Sequence, residues 1–115
     1  MPDDSLKSKV LHSELSDFRK RVLLATLEIP KGKVTTYGAI GKTIGCKGAQ
    51  AIGGALRNNP FAPDVPCHRV VDSKLKLHGF MGKTDNEAIN KKRRLLEAEG
   101  VIFVDELTVS KESLN

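Results

Sequence analysis

Between residues 16 and 29, apolar side chains recur at the spacing of an α-helix. Four of them fall at i, i+4, i+7 and i+11, so they form one stripe that is expected to face the core. They are Phe18, Val22, Ala25 and Ile29. Ser16 can cap the start of this helix, and the turn at 30–32 ends it. Residues 33–36 are partly β-branched and predict a short extended connection.

Two further short helices follow closely. Tyr37 begins the first, Gly45 ends it, and the segment 48–58 forms the second, so the pattern is that of a helix-turn-helix. The second helix carries several small residues, and each glycine weakens a helix by about 0.8–1 kcal/mol relative to alanine. Two interpretations stay open: tight packing against a neighbouring helix, or a smooth outer face that lets the backbone approach a nucleic-acid groove.

The stretch after Pro60 and Pro63 predicts a short buried strand over Val65–Val71, followed by a polar loop over 72–83. A further short strand is predicted at 101–104, and the polar tail from Ser110 is expected to be frayed.

One more helix is predicted before that last strand. Thr84 as N-cap and Glu87 at N3 form a capping box, so the helix starts there, runs to Glu99 and stops at Gly100. Ile89, Leu96 and Glu99 fall at i, i+7 and i+10, which places a carboxylate on the stripe that is bound for the core. The alternative is that Glu99 lies in solvent at the helix end.

The composition fits one domain with an aliphatic core. The chain has 115 residues, 39% of them apolar, with no Trp and one Tyr, which is Tyr37. We expect an N-terminal arm or short helix over 1–15, the domain itself over 16–104 and a tail over 105–115. The net charge of +5 favours a polyanionic partner.

The two cysteines, without a secretory leader or an apolar run near 18 residues, favour a reducing compartment, either cytoplasmic or nuclear, and no membrane association. Two cysteines and three histidines show no paired-ligand spacing, so no metal site is expected. Cys46 is interpreted as a packing residue.

The sequence Pro66-Cys67-His68-Arg69-Val70 carries the candidate chemistry. A thiol attacks as thiolate, and an unperturbed pKa near 8.5 leaves little thiolate at neutral pH, so a nearby base or positive charge is needed. His68 and Arg69 can supply either. Contact with the Glu99 carboxylate would hold the His68 ring in one tautomer and raise its basicity. The alternative is a buried structural cysteine beside a hydrogen-bonded core histidine.

These motifs, in this order, resemble the C-terminal domain of the O6-alkylguanine-DNA alkyltransferases over about residues 16–104. The resemblance is carried by Tyr37, by residues 51–60, by the PCHRV stretch and by Leu95-Leu96-Glu97-Ala98-Glu99-Gly100. It implies a mainly α, winged-helix-like domain with short strands. Its recognition helix would enter the minor groove of DNA, and the flipped alkylguanine would pass its alkyl group irreversibly to the cysteine.

The resemblance also implies the roles of single residues. Cys67 would accept the alkyl group, His68 would act as base through water, and Glu99 would hold His68. Asn59 would brace the turn between the recognition helix and the active-site strand. Tyr37 would help to rotate the target nucleotide outward, with its hydroxyl near the guanine.

The resemblance further implies the contacts to DNA. The carbonyls of Cys67 and Val70 would read the exocyclic amine of the flipped base. Arg57 and the small face that contains Gly53 and Gly54 fit a groove-inserted helix that contacts phosphates. The implied chemistry requires no cofactor, and a monomer is expected.

One residue and one loop depart from the family pattern. Gln50 stands where repair members carry an arginine that fills the gap left by the flipped base, which predicts weaker intercalation. The loop that borders the substrate reads Phe80-Met81-Gly82-Lys83, with Met81 as its candidate substrate contact, so the preferred alkyl group is left open.

Three functions are therefore compared. The first is single-turnover alkyl transfer to Cys67, as in a methylated-DNA-protein-cysteine methyltransferase. The second is an alkyltransferase-like protein that binds O6-alkylguanine without transfer and signals to another repair pathway; such relatives typically replace the cysteine. The third is a plain winged-helix DNA-binding protein in which the thiol is incidental. The presence of Cys67 favours transfer.

Overall fold

The computed structural model describes residues 4–45, 48–57, 59–61, 64–77 and 85–115. Within these ranges, the chain forms five α-helices and two short strands. They are α1 (Asp4–Leu11), α2 (Asp17–Leu27), β1 (Thr35–Thr36), α3 (Tyr37–Ile44), α4 (Ala49–Arg57), β2 (Val70–Val71) and α5 (Asn86–Ala98). Across the same ranges, no helix is both long enough and apolar enough to cross a membrane.

Helices α2, α3 and α4 pack against one another and form the helix-turn-helix. The Ser16 hydroxyl accepts a hydrogen bond from the Arg19 amide and caps α2, as the sequence predicts. The Thr36 hydroxyl caps α3 in the same way. Gly45 ends α3 in the left-handed region, with φ 76°, where a side chain would be strained. Cys46, interpreted above as a packing residue, lies outside the described residues.

The strands β1 and β2 pair in parallel, with Thr35 opposite Val70 and Thr36 opposite Val71. This pairing links the start of α3 to the segment that follows the Cys-His pair. As a result, Tyr37, which follows β1 directly, lies at the same edge as Asp72, which follows β2.

Among the residues that the structure describes, two apolar clusters form the core. The first lies among α1, α2, α3 and α4, and its members include Val10, Val22, Leu23, Ile29, Ile40, Ile52 and Leu56. The second lies around β2, α5 and the C-terminal segment, and it contains Val34, Val71, Leu75, Leu77, Leu96, Val101 and Val109. The helical stripe predicted for α2 therefore faces the core, and Ile52, Ala55 and Leu56 of α4 face it as well.

The predicted strand over Val65–Val71 is wrong for most of its length. Cys67–Arg69 form a 3₁₀ turn instead, and the strand is limited to β2. The Arg69 amide donates to the Pro66 carbonyl and the Val70 amide to the Cys67 carbonyl, so these hydrogen bonds are made within the turn and not to a neighbouring strand.

The start and end of α5 also differ from prediction. Asp85, and not Thr84, is the N-cap, since the Asp85 carboxylate accepts a hydrogen bond from the Ala88 amide at 2.8 Å. Thr84 lies outside the described residues. The helix ends at Ala98, and Glu99 is its C-cap, followed by Gly100 at φ 92°.

The expectation of a frayed tail from Ser110 is wrong. The Asn115 amide donates to the Val34 carbonyl at 2.8 Å, and the Val34 amide donates to the carbonyl of buried Ser113 at 2.8 Å. These two hydrogen bonds tie the terminus beside β1. The segment predicted as a strand at 101–104 contributes a single antiparallel bridge, between Phe103 and Val109. The division of the chain at residues 15 and 104 stays a prediction.

Candidate functional site

The thiol of Cys67 lies at the start of the 3₁₀ turn and is 7% exposed. Burial raises its pKa above the usual value, while a hydrogen bond from the Asn59 side chain and the charge of Lys92 partly offset this effect. Cys67 therefore rests as a protonated thiol. Its reaction requires that a base remove the proton or that a positive charge stabilise the thiolate as it forms.

Asn59 is buried and connects the end of α4 to the turn before Cys67. Its side-chain amide donates to the Val65 carbonyl at 2.9 Å, and its oxygen accepts a hydrogen bond from the Phe61 amide at 2.9 Å. The side chain thus closes the loop from both sides. This geometry agrees with a bracing residue that also faces the thiol.

His68 and Glu99 meet, with 3.1 Å between Nε2 of the imidazole and Oε2 of the carboxylate. Since an ionised carboxylate can only accept, Nε2 carries the proton and Nδ1 carries the lone pair. The Nδ1 atom is buried and has no hydrogen-bond partner among the described residues. Burial lowers the pKa of His68 below 6.5, although Glu99 partly offsets this effect, so the ring is neutral at pH 7.

Arg69 does not face the thiol. Its guanidinium makes two hydrogen bonds to the Glu99 carboxylate, at 2.8 and 2.7 Å, and a third at 2.8 Å to the carbonyl of Ile29. Burial alone would raise the pKa of Glu99, but Arg69 and His68 together lower it below its usual value. Arg69 therefore keeps Glu99 ionised and joins the end of α2 to the end of α5.

Tyr37 lies at the first position of α3 and packs partly against the first apolar cluster. Burial raises the pKa of its hydroxyl, and the nearby groups Cys67 and Asp72 raise it further. The phenol stays protonated at neutral pH and can donate a hydrogen bond near the thiol.

Lys92 is a site residue that the sequence reasoning missed. It is 1% exposed, and its ammonium donates to the Val70 carbonyl at 2.7 Å. Burial lowers its pKa to about 8. The signal was present in the sequence, because Lys92 is at i+3 from Ile89 and therefore on the same inward stripe as Leu96 and Glu99.

The two carbonyls that would read the flipped base, according to the family resemblance, both accept hydrogen bonds within the protein. The Cys67 carbonyl accepts a hydrogen bond from the Val70 amide, and the Val70 carbonyl accepts one from Lys92. Each carbonyl oxygen has a second lone pair, so a further donor can still approach.

The outer face of α4 is smooth and open. A Cβ built at Gly53 or Gly54 meets no heavy atom within 4 Å, so tight packing does not explain these glycines. Gln50, Gly54 and Arg57 are all exposed, while Ile52 and Leu56 on the opposite side are buried. Of the two interpretations, the structure supports the outward-facing surface. Met81, the candidate substrate contact, lies outside the described residues.

Sequence comparisons place this chain in a known family. The family model described as 6-O-methylguanine DNA methyltransferase, DNA binding domain, matches residues 17–101. The methylated-DNA-protein-cysteine methyltransferase of Mycobacterium tuberculosis is 47% identical over 85 residues, which is 73% of this chain and 48% of that protein. The protein of the same name from Methanosarcina acetivorans is 43% identical over 91 residues, 78% of this chain and 55% of that protein. The chain spans about half the length of these curated relatives.

Solved structures agree with the sequence comparisons. Mycobacterium tuberculosis OGT in complex with DNA has a TM-score of 0.69 and 45% identity, covering 76% of this chain and 50% of that one. S. pombe ATL in complex with DNA has a TM-score of 0.70 and 29% identity, covering 90% of this chain and 98% of that one. The helix-turn-helix fold class and the resemblance stated from the sequence are both confirmed. The chain belongs to the family of the 6-O-methylguanine DNA methyltransferase DNA-binding domain.

Proposed function

We propose that this protein repairs DNA by taking the alkyl group of O6-alkylguanine onto Cys67 in a single turnover. The observation that carries the proposal is the Cys67 thiol in a closed turn, next to a histidine that Glu99 holds at 3.1 Å. The sulfur–carbon bond forms as the bond between that carbon and O6 breaks, and its electron pair stays on the guanine. The thiol loses its proton, guanine regains one, and the thioether is not reversed.

The base in this reaction is Nδ1 of His68, acting through one water molecule. Consecutive side chains of a 3₁₀ turn point about 120° apart, which disfavours a direct contact between Cys67 and His68. The burial of Nδ1 and the engagement of Nε2 with Glu99 both support this assignment. Tyr37 is proposed to lie against the rotated nucleotide.

DNA is proposed to bind across the open face of α4. The absence of side chains at Gly53 and Gly54 allows close approach to the minor groove, and exposed Arg57 lies at the end of the helix where it can contact a phosphate. The net charge of +5 supports a polyanionic partner.

A second candidate is lesion binding without transfer. The observation that favours it is that this chain matches the S. pombe proteins over nearly their whole length. One of them is Atl1 in complex with damaged DNA that contains O6-carboxymethylguanine, which matches at 31% identity and a TM-score of 0.65. The cysteine of PCHRV favours transfer.

Intact-mass measurement distinguishes these functions. After incubation with a duplex that contains O6-methylguanine, the protein is expected to gain one methyl group on the Cys67 peptide, and Cys67→Ser is expected to gain none while it still binds the lesion. Lesion-selective binding with no mass gain would instead identify the binding protein. Binding that does not distinguish the lesion from normal guanine would leave a general DNA-binding protein.

Gln50→Arg is expected to strengthen lesion binding or to speed transfer. Gln50 is exposed on α4, so an arginine adds a longer, charged side chain beside the DNA without disturbing the core. Single-turnover rates and binding curves on lesion duplexes test this, with Gln50→Met as an uncharged control of similar length. An unchanged or slower rate with unchanged affinity would contradict a role for this position in filling the gap.

A further inference from the structure

Lys92 is a buried cation for which the proposed chemistry has so far given no role. Burial of an ammonium is costly unless it is paired and hydrogen-bonded, so a lysine at 1% exposure in a core cluster needs a reason. One contact is structural: its Nζ donates to the Val70 carbonyl at 2.7 Å. Val70 in turn donates its amide to the Cys67 carbonyl. A single residue, Val70, therefore connects the lysine to the thiol-bearing turn.

Titratable groups from several elements face this lysine. Cys67 comes from the 3₁₀ turn and Asp72 from the segment after β2, and both raise the pKa of Lys92 against the effect of burial. Tyr37 at the start of α3 interacts with the same two groups. His68 is also within the reach of the Lys92 charge, which opposes its protonation.

The alternative sources of positive charge are engaged elsewhere. Arg69 is bound by Glu99 and by the Ile29 carbonyl, and His68 is neutral with Nε2 held by Glu99. Asn59 donates a hydrogen bond but carries no charge. Of the described residues, Lys92 is the cation whose charge acts on the thiol.

We propose that the Lys92 ammonium is the counter-charge that stabilises the Cys67 thiolate as it forms, and so determines how readily the thiol reacts. Lys92 acts through space and touches neither the alkyl group nor the base, so it is a positioning residue. The proposal rests on the proposed function in one respect only: it takes Cys67 as the reacting thiol.

The pH dependence of alkylation by iodoacetamide, without DNA, tests the proposal. In this reaction the sulfur displaces iodide and the thiol proton passes to solvent, so the rate follows the thiolate fraction. A Cys46→Ser background leaves Cys67 as the single cysteine of the chain. Lys92 is charged only below its pKa of about 8, so the midpoint is obtained by fitting the limb of the pH–rate profile below pH 8 to a single titration that ends at the alkaline plateau of the same variant. We expect Lys92→Gln to move this midpoint upward by about one pH unit or more. Each unit corresponds to about a tenfold lower rate at pH 7.

Two further variants separate charge from structure. Lys92→Gln keeps an N–H donor for the Val70 carbonyl, whereas Lys92→Met removes both donor and charge; both are expected to shift the midpoint. Lys91→Gln, on the exposed side of the same helix, removes the same charge and is expected to leave the midpoint in place. A purely structural role would change the rate at every pH and not the midpoint.

An unchanged midpoint in a folded Lys92→Gln or Lys92→Met protein would overturn the proposal. A midpoint that shifts in Lys92→Met but not in Lys92→Gln would also overturn it, because the hydrogen bond and not the charge would then matter. The proposed function is tested separately. If the midpoint shifts but the protein never gains a methyl group from DNA that contains O6-methylguanine, then Lys92 is still the counter-charge of the thiolate, and the proposal of DNA repair is wrong.

Discussion

Gly54→Glu is expected to weaken DNA binding by about a hundredfold or more while the protein stays folded. Position 54 lies on the exposed face of α4, where an added Cβ meets no heavy atom within 4 Å. The fold therefore accepts the glutamate. DNA binding is weakened because the new carboxylate would lie against phosphates, and like charges that meet at an interface cost several kcal/mol. Fluorescence anisotropy on lesion and normal duplexes measures the loss.

Two variants at the same position serve as controls. Gly54→Ala is expected to raise the free energy of unfolding by about 0.5–1 kcal/mol, because alanine replaces glycine within a helix. Gly54→Gln adds bulk without charge and separates the two effects on binding. Strong DNA binding by the Gly54→Glu protein would show that α4 does not carry the interface.

Glu99→Gln is expected to slow methyl transfer by at least about tenfold, since general base catalysis contributes 10²–10⁴. The Glu99 carboxylate holds Nε2 of His68 and raises the pKa of that ring against the effect of burial. Without the negative charge, the pKa of His68 falls further below 6.5, and the base becomes weaker at neutral pH. The acid limb of the pH–rate profile should accordingly move to lower pH while the plateau drops.

Glu97→Gln is the matched control for this prediction. Glu97 lies two residues earlier, is half exposed and pairs with Arg93 at 3.3 Å, so the same charge is removed away from the site. Single-turnover transfer rates between pH 5 and 8 compare the two variants. Equal rates for wild type and Glu99→Gln across that range would remove Glu99 from the mechanism.

Much of the helical structure follows from local chemistry. The cap at Ser16, the left-handed Gly45 and the apolar period of α2 act over a few neighbouring residues, so the chain pattern reveals them. The contact between His68 and Glu99 can also be predicted from the sequence. Helical spacing puts Glu99 on an inward stripe, and a buried carboxylate needs a partner.

Other features depend on contacts between distant segments. Cys67–Arg69 form a turn, and only the next two residues, Val70 and Val71, pair with β1, which lies about thirty-five positions earlier in the chain. The C-terminal residues are ordered because Val34, about eighty positions earlier, supplies their hydrogen-bond partners. No local pattern encodes either partner.

The sequence by itself determined the helix-turn-helix, the thiol beside an imidazole and the family resemblance, because spacing and residue type are local properties. Only the tertiary structure decided which charged groups meet: Arg69 binds the Glu99 carboxylate, and buried Lys92 donates to the Val70 carbonyl beside the turn that carries Cys67. The physical reason is that burial and charge pairing depend on which side chains share a low-dielectric space. That sharing arises where α5 packs against the 3₁₀ turn.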